Sequence, residues 1–564
     1  MLMQIQRRPI CAGCELPDDL HPVLRQVLSR RPLASLDELS YGLDALIPPD
    51  SLGGTGEAAE LLFRHFERRI LVVGDFDADG ATSTALALLG LRAMGARYVD
   101  YLVPDRFRFG YGLTPEIVQL AQERRAELIV TVDNGISSIA GVAAARAHGM
   151  QVLVTDHHLP GAELPAAEVI VNPNLPGDPF PSKALAGVGV MFYVLLALRR
   201  LLRQRSHPGG SVNLAEWLDL VALGTVADVA ALDHNNRVLV HQGLARIRAG
   251  RCRPGIQALI NVSGRVRAGL VASDLGFALG PRLNAAGRLE DMSIGIECLL
   301  AEEPGRAALL AQRLDALNRE RRDIEQQMQL EALDVIERLQ LADELPPALC
   351  LHQDDWHQGV VGIVASRIKE RVHRPVIAFA RDGQSGLLKG SGRSISGVHL
   401  RDVLDAVAVR HPGLIEKFGG HAMAAGLSLR AERLAAFEAA LHEEMLRWVD
   451  PAELRGVIHS DGELPAQFLT LECAEILREA GPWGQHFPEP VFDGIFEVRD
   501  ARVVGERHLR LRLGCEGSLI DGIAFNAADT SLGSRVHAAY RLEVNEWNGT
   551  RRPQLVLEHL LPCD

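Results

Sequence analysis

No uninterrupted apolar run in these 564 residues approaches the length of a bilayer-spanning helix. A signal-peptide pattern is missing too, since Arg7 and Arg8 are not followed by an apolar core. Cysteine is sparse: 8 residues scattered along the chain argue against a disulfide framework and suit a reducing cytoplasm. Cys11 and Cys14 are the only close pair, and without a second pair or a neighbouring histidine cluster they make a poor zinc site. Nor is there a basic excess. The formal charge of −13 argues mildly against nucleic acid as a partner, because phosphate binding usually leaves a basic footprint. What is present, 47% apolar and 23% charged residues, is the composition of a soluble globular protein. The length exceeds what one core can organise and implies about three or four domains.

The stretch around which the chain is arranged is Leu71 to Gly80. Ile70 to Val73 reads as a buried strand that runs into Asp75, Asp77 and Asp79, then Gly80 and a small-residue helix start. The carboxyl end of a strand is where an α/β sheet meets its ligands. Carboxylates so closely spaced repel one another unless a cation sits among them, the alternative being a solvated acidic turn. The same design recurs twice. Leu128 to Val132 ends on Asp133-Asn134-Gly135, and Val152 to Thr155 ends on Asp156-His157-His158. Packing alone does not account for three such strand ends, and carboxylates with a histidine suit manganese or magnesium.

Residues 1–55 read as a helical lead-in with proline turns, closing near Gly53-Gly54. Within a domain spanning 56–304, strands alternate with helical stretches from about 60 to 230, with further strands at Tyr98 to Val103 and Val169 to Asn172, which implies a parallel sheet covered by helices. The loop holding Arg106 and Arg108 is either a surface hinge or a phosphate contact. A later helix breaks at Gly224 and presents Asp228 just beyond. Arg246, Arg248, Arg251, Arg253, Arg265 and Arg267 form a basic stretch that reads as a solvated face. Residues 305–345 carry a long helical pattern, about 50 Å at the helical rise, serving as a connector or as a coiled-coil seam interrupted by Arg321. Residues 346–450 form a second α/β unit, with a helix beginning around Trp356 and a strand from Pro375 to Phe379. In it Lys389 to Ser394 reads as a glycine-flexible loop whose amides, Ser391 and Arg393 suit a phosphate. Gly419-Gly420-His421 brings an imidazole into a close-approach loop, unless that histidine is simply packed. Residues 451–564 change to short β-runs. His508 to Leu513 alternates arginine and leucine, and Asn548-Gly549 is a hairpin turn flanked by Trp547, Arg551 and Arg552. A small barrel with basic and aromatic residues outside suits single-stranded DNA.

Taken in order, Asp75-x-Asp77-x-Asp79-Gly80, Asp133-Asn134-Gly135, Asp156-His157-His158 and Gly224-Thr225-Val226-Ala227-Asp228 match the four motifs of the DHH phosphoesterases. Gly280 to Arg288 (GPRLNAAGR) and Gly419 to Gly426 (GGHAMAAG) resemble the RecJ branch of that family, and the likeness runs from about residue 60 onward. The resemblance implies an α/β multidomain fold: a parallel-sheet DHH domain, a long connecting helix, a second DHH-associated α/β domain and a C-terminal OB-like β-barrel. It implies a single-stranded-DNA-specific 5′-to-3′ exonuclease of DNA repair and recombination, cytoplasmic and without a membrane, releasing 5′-mononucleotides by two-metal hydrolysis with no covalent nucleophile. Two Mn²⁺ or Mg²⁺ ions would be held by Asp75, Asp77, Asp133, His157 and Asp228, with Asp133 bridging. Asp156 would orient His157, and His158 would lie near the scissile phosphate. Arg106, Arg282, Ser391, Arg393 and His421 would contact substrate, with Arg106, Ser391 and Arg393 at the 5′-phosphate in a cleft too narrow for duplex. Single-strand-binding protein and a helicase come in as partners by the same resemblance. The chain departs from the family's pyrophosphatase branch at Leu71, where that branch has a histidine, so one ion has fewer protein ligands. A small-molecule phosphodiesterase is the second reading, disfavoured by the long helix and the β-domain. A decayed, non-catalytic DNA-binding scaffold is the third, disfavoured by the full ligand set.

Overall fold

Ile70 to Gly74 is buried along its whole length, as a parallel strand covered on both faces requires. In the computed structural model, which describes residues 3–11, 15–105, 111–340, 345–383, 386–449, 456–528, 530–547 and 549–563 (337–340 and 547 by backbone alone), it is the second strand in a five-stranded parallel sheet. The strands are β1 (Arg69–Gly74), β2 (Tyr98–Leu102), β3 (Leu128–Val132), β4 (Gln151–Thr155) and β5 (Val169–Val171), in the order β2-β1-β3-β4-β5. The direction of winding reverses between β1 and β3. Their carboxyl ends therefore flank the topological switch point, where open α/β sheets bind ligands.

Helices α1 (Ala78–Met94), α2 (Gly187–Gln204) and α3 (Leu218–Ala227) pack with this sheet, each buried over most of its surface. The helix expected to break at Gly224 runs through it. A Cβ at Gly224 would lie 2.2 Å from Thr82 Oγ1 and 2.9 Å from Asp79 Oδ1, so the glycine permits α3 to press against α1. Arg282, placed by sequence in a tight Pro/Gly segment, sits on helix α4 (Gly280–Leu289). Helix α5 (Pro304–Gln340) agrees with the long helix read from the sequence. Its apolar stripe is consumed within the chain: Ala307, Ala311, Leu314 and Leu317 join one core, and Met328, Ala332 and Ile336 another.

The chain divides into two units. The larger comprises Arg7–Asn318 with Ser460–Asp564, and the smaller is built from Arg319–His459 with the N-terminal residues up to Gln6. The smaller unit contains β6 (Leu349–His352), helix α6 (Val361–Val372), β7 (Val376–Arg381), β8 (Leu387–Arg393), β9 (Lys417–Gly420) and β10 (Ala424–Arg430), with sheet order β9-β10-β8-β7-β6. The helix near Trp356 begins later than expected, at Val361. The donor-rich "loop" at Lys389 is a strand, not a loop: Gly390 and Gly392 are there because a Cβ would come within 2.5 Å of Phe379 and 2.6 Å of Leu400.

In the larger unit helix α7 (Leu471–Glu479) precedes a closed barrel of β11 (Phe492–Val504), β12 (His508–Cys515), β13 (Ser518–Ala524), β14 (Arg535–Trp547) and β15 (Thr550–Cys563). Leu509, Leu511 and Leu513 fill its interior and leave Arg510 and Arg512 outside, as the alternation demands. Asn548, expected from the sequence in a hairpin turn with Gly549, lies outside the described residues, as does Cys14. The N-terminal segment is no detached lead-in. Arg31 and Asp461, both fully buried, form a two-pronged ion pair of 2.7 and 2.9 Å, and Arg8 also reaches Asp461. Removing one partner of a buried pair leaves an uncompensated charge. Asp461→Ala is expected to cost about 3–5 kcal/mol and lower the apparent Tm, whereas the double variant Arg31→Met/Asp461→Leu recovers most of the loss; both are read by thermal unfolding.

Candidate metal centre

Each acidic residue is delivered by an element whose geometry is fixed from elsewhere. Asp75 follows β1, Asp133 follows β3, Asp156 follows β4, and Asp228 ends α3. Asn134 Nδ2 donates to the carbonyls of Val73 (3.0 Å) and Val132 (2.9 Å), pinning the ends of β1 and β3 together. Asp133 has φ +62°, in the left-handed region that few residues other than glycine occupy and that aspartate tolerates better than most. Gly80 and Gly187 are spacers: a Cβ on the first would lie 2.4 Å from Asp75 O, on the second 2.5 Å from Asp133 Cβ. Asp79 receives the amides of Gly187 (2.6 Å) and Val188 (2.9 Å), so its carboxylate meets the positive end of α2.

The carboxylates of Asp75, Asp77 and Asp133 converge, with one oxygen from each within 4.8 Å of the others. Asp79, His157 and Asp228 form a second such group, and Asp133, His157 and His158 a third. His157 Nε2 is the hub, 3.0 Å from Asp133 Oδ1, 3.8 Å from Asp228 Oδ2 and 3.9 Å from Asp79 Oδ2. Asp156 does not hold the ring of His157, as expected, but that of His158: its Oδ1 accepts from His158 Nδ1 (2.7 Å) and from the His157 and His158 amides, while Oδ2 accepts from Ile136 N. Burial raises the Asp156 pKa, and the His158 bonds outweigh it and bring it below the ordinary value.

The donor set fits divalent cations. Burial, and then the Asp77 charge, push Asp79 up to about 7. Asp133 and Asp228 are raised by the same causes, burial first and their acidic neighbours next. Among the described residues no lysine or arginine pairs with Asp77, Asp79, Asp133 or Asp228, and Asp133 Oδ1 is buried without a hydrogen bond. Hard oxygen donors with one imidazole are the ligands manganese and magnesium take.

Residues 69–225 match the DHH family, N-terminal domain; 345–446 match the DHHA1 domain; 460–559 match the RecJ OB domain. The chain is 57% identical, over all of both chains, to the single-stranded-DNA-specific exonuclease RecJ of Dickeya dadantii (strain 3937). The chain belongs to the RecJ family. Its structure superposes on that of RecJ from Thermus thermophilus in complex with Mn²⁺ with a TM-score of 0.78 at 33% identity, covering 96% of this chain and 76% of that one. The Mg²⁺ complex of the same RecJ gives a TM-score of 0.74 at 31% identity, over 96% and 75%.

The other expected site residues are dispersed. Arg282, largely buried, donates to Asp315 and to the carbonyl of Ala278, so a role on phosphate would require it to leave these partners. Arg106 lies outside the described residues. Ser391 and Arg393 sit two apart on β8, and His421 is exposed in the turn after β9. Three contributors went unassigned in the sequence reading although their motifs stood in it. Asp79 braces α2, Asn134 clamps two strand ends, and Asn284 Oδ1 accepts from Ala78 N (2.7 Å) at the start of α1. Tyr111, whose hydroxyl donates to Asp133 O (3.2 Å), carries no such motif signal.

Acids whose folded pKa is raised contribute stability that is present below the ordinary carboxylate range and lost as pH rises through the folded value. With chelator present, Tm is expected to fall between about pH 5 and pH 8. Mn²⁺ should then raise Tm more at the upper end than at the lower, and Asp79→Asn should flatten the chelated profile. Equal Mn²⁺ effects at both ends would contradict the assignment.

Proposed function

We propose that this chain is a single-stranded-DNA-specific exonuclease that hydrolyses phosphodiester bonds from the 5′ end and releases 5′-mononucleotides. The observation that carries the reading is the convergence of Asp75, Asp77, Asp133, His157 and Asp228 at the switch point of the parallel sheet. These five residues would hold two Mn²⁺ or Mg²⁺ ions, Asp133 belonging both to the group with Asp75 and Asp77 and to the group with His157, and Asp79 standing beside His157 and Asp228. When bound, such ions supply a nucleophilic water near neutral pH and neutralise charge gathering on the phosphoryl oxygens.

The chain's own groups do the positioning. Asp156 holds His158 through Nδ1 beside the scissile phosphate; burial, which would lower the imidazole pKa, is outweighed by this carboxylate together with the charges of Asp75 and Asp77. The left-handed turn at Asp133, clamped by Asn134, fixes the shared carboxylate before substrate arrives, so little reorganisation remains at the moment of reaction.

End recognition falls to the smaller unit. Arg393 is mostly buried, burial lowers its pKa, and among the described residues no carboxylate pairs with it; its Nη1 donates to Ser391 Oγ (3.2 Å) and Gly392 O (2.8 Å). Gly362, at the start of α6, has no side chain to obstruct this pair: a Cβ there would meet Ser391 Oγ at 2.8 Å and Arg393 Nη2 at 3.0 Å. A cation without an acid beside a helix N-terminus suits a terminal phosphate. His421 and Arg106 are assigned to substrate on the same reading. The DNA is met in the cytoplasm, where a helicase and single-strand-binding protein supply and coat the strand. No described helix is long and apolar enough to cross a membrane.

End-labelled single-stranded DNA should be degraded with Mn²⁺ or Mg²⁺ and spared with chelator, while blunt duplex is spared throughout. Asp133→Asn should lower kcat by roughly a thousand-fold and abolish the Mn²⁺-dependent rise in Tm. Arg393→Ala should lose roughly ten- to a hundred-fold of the preference for a 5′-phosphorylated over a 5′-hydroxyl end, the worth of a hydrogen bond to a charged group, at unchanged kcat. An unaltered end preference would discard that role.

A further inference from the structure

Nine of the described residues other than glycine have φ in the left-handed region, and Val229 (φ +60°) is the one β-branched side chain among them. Branching at Cβ makes that conformation a true outlier, because the side chain crowds the backbone. The hydrogen bonds show how it arises. The amide of Val229 donates to Val226 O (3.1 Å) and that of Ala230 to Thr225 O (3.2 Å). With Asp228 capping α3, these are the two bonds of a Schellman ending, and Val229 fills its left-handed position, the place glycine usually takes. Helix termination alone calls for glycine or asparagine there, since each adopts this backbone more readily. The chain carries a valine instead and leaves it 65% exposed. The isopropyl group thus serves neither the helix end nor the core.

Its place is the open side of the metal centre. Asp75, Asp79 and Asp133 are buried, whereas Asp77, His157, His158 and Asp228 are partly exposed. Helix α3 is likewise buried from Leu218 to Thr225 and meets solvent only over its last residues. A strand approaching the acids comes from this side, and Val229 follows Asp228 directly, about 3.8 Å along the backbone. A phosphate held beside Asp228 carries a sugar on either side. Those sugars come within reach of Val229 before the bases do, because each base is attached on the far side of its sugar.

We infer that Val229 is a sugar-selecting residue: its isopropyl group packs against the C2′ methylene of a deoxyribose next to the scissile phosphate and so disfavours RNA. The inference rests on the exonuclease reading above and adds to it a source for the preference for deoxyribose. The wall that Val229 presents is apolar. A C2′ methylene loses no hydrogen bond against it, whereas a 2′-hydroxyl pressed there sheds its water and finds neither donor nor acceptor. That hydroxyl is the group by which a protein tells RNA from DNA at a given site. A β-branched side chain is also stiff about χ1, so the wall does not swing aside.

The test is steady-state hydrolysis by the full chain, with Mn²⁺, of 5′-phosphorylated oligodeoxyuridylate and oligouridylate, which differ only in the 2′-hydroxyl. The wild-type chain should favour the deoxy strand in kcat/KM. Val229→Gly removes the wall, and Val229→Asn offers an amide to the hydroxyl. Each should narrow the deoxy-to-ribo ratio about ten-fold, the effect of one hydroxyl no longer left without a partner. Both residues suit the left-handed position, so thermal melting should show Tm equal to or above that of the wild type. Val229→Ile, branched and apolar, should keep the wild-type ratio. An unchanged ratio in the glycine and asparagine variants overturns the inference, as does a wild-type chain that digests both strands equally well. An equal loss on both strands overturns it as a general disturbance, and a lower Tm for Val229→Gly overturns it by giving the valine a structural role. Failure of the wild-type chain to digest the deoxy strand sinks the exonuclease reading instead.

Discussion

Asp75, Asp77, Asp79, Asp133 and Asp228 crowd around His157 at the carboxyl ends of β1, β3 and β4, and Asp79, Asp133 and Asp228 are harder to ionise because of burial and the charge of their acidic neighbours. Much of the larger unit is arranged to hold this crowding in place. Asn134 ties the ends of β1 and β3, the first amides of α2 receive Asp79, and Asn284 reaches across from α4 to the start of α1. Three helices and a sheet are thus locked to one another through polar contacts at the site itself. Their apolar faces supply the cohesion, and the polar contacts supply the register.

Glycine is the means by which backbone comes close enough. Gly224 brings α3 onto α1 beside Asp79, and Gly287 lets α4 approach the turn after β1, where a Cβ would lie 1.8 Å from Phe76 O. The smaller unit repeats the device at Gly362, opposite Ser391 and Arg393. Added methyl groups at these places would displace carbonyls or ligand side chains by more than soft packing can absorb.

How much of this was legible follows from the range of each interaction. The strand ends bearing Asp75, Asp133 and Asp156 were readable because an apolar run meets an acid next to a glycine or, at Asp156, next to two histidines. The leucine–arginine alternation of β12 was readable for the same reason, and the apolar spacing of α5 gave its extent. What failed involved partners far along the chain. The glycines at 390 and 392 looked like flexibility until Phe379 and Leu400 were seen against them, and Gly224 looked like a helix break until α1 was seen beside it. Arg282 carried the family's motif, yet Asp315 on α5 engages it. Asp156 was assigned to the wrong ring because the choice between adjacent histidines is set by a side-chain torsion, on which spacing is silent.

The ion pair between Arg31 and Asp461 joins positions 430 apart in the chain. At translation speeds of about 5–20 residues per second, the aspartate leaves the ribosome roughly 20–90 s after the arginine. Throughout that interval an arginine destined for complete burial lacks the carboxylate of Asp461, so the segment around Arg31 stays solvated while the parallel sheet and the whole of the smaller unit are being made. The larger unit therefore becomes complete only after the segment inserted in its middle has emerged, and its assembly is bound to the order of synthesis.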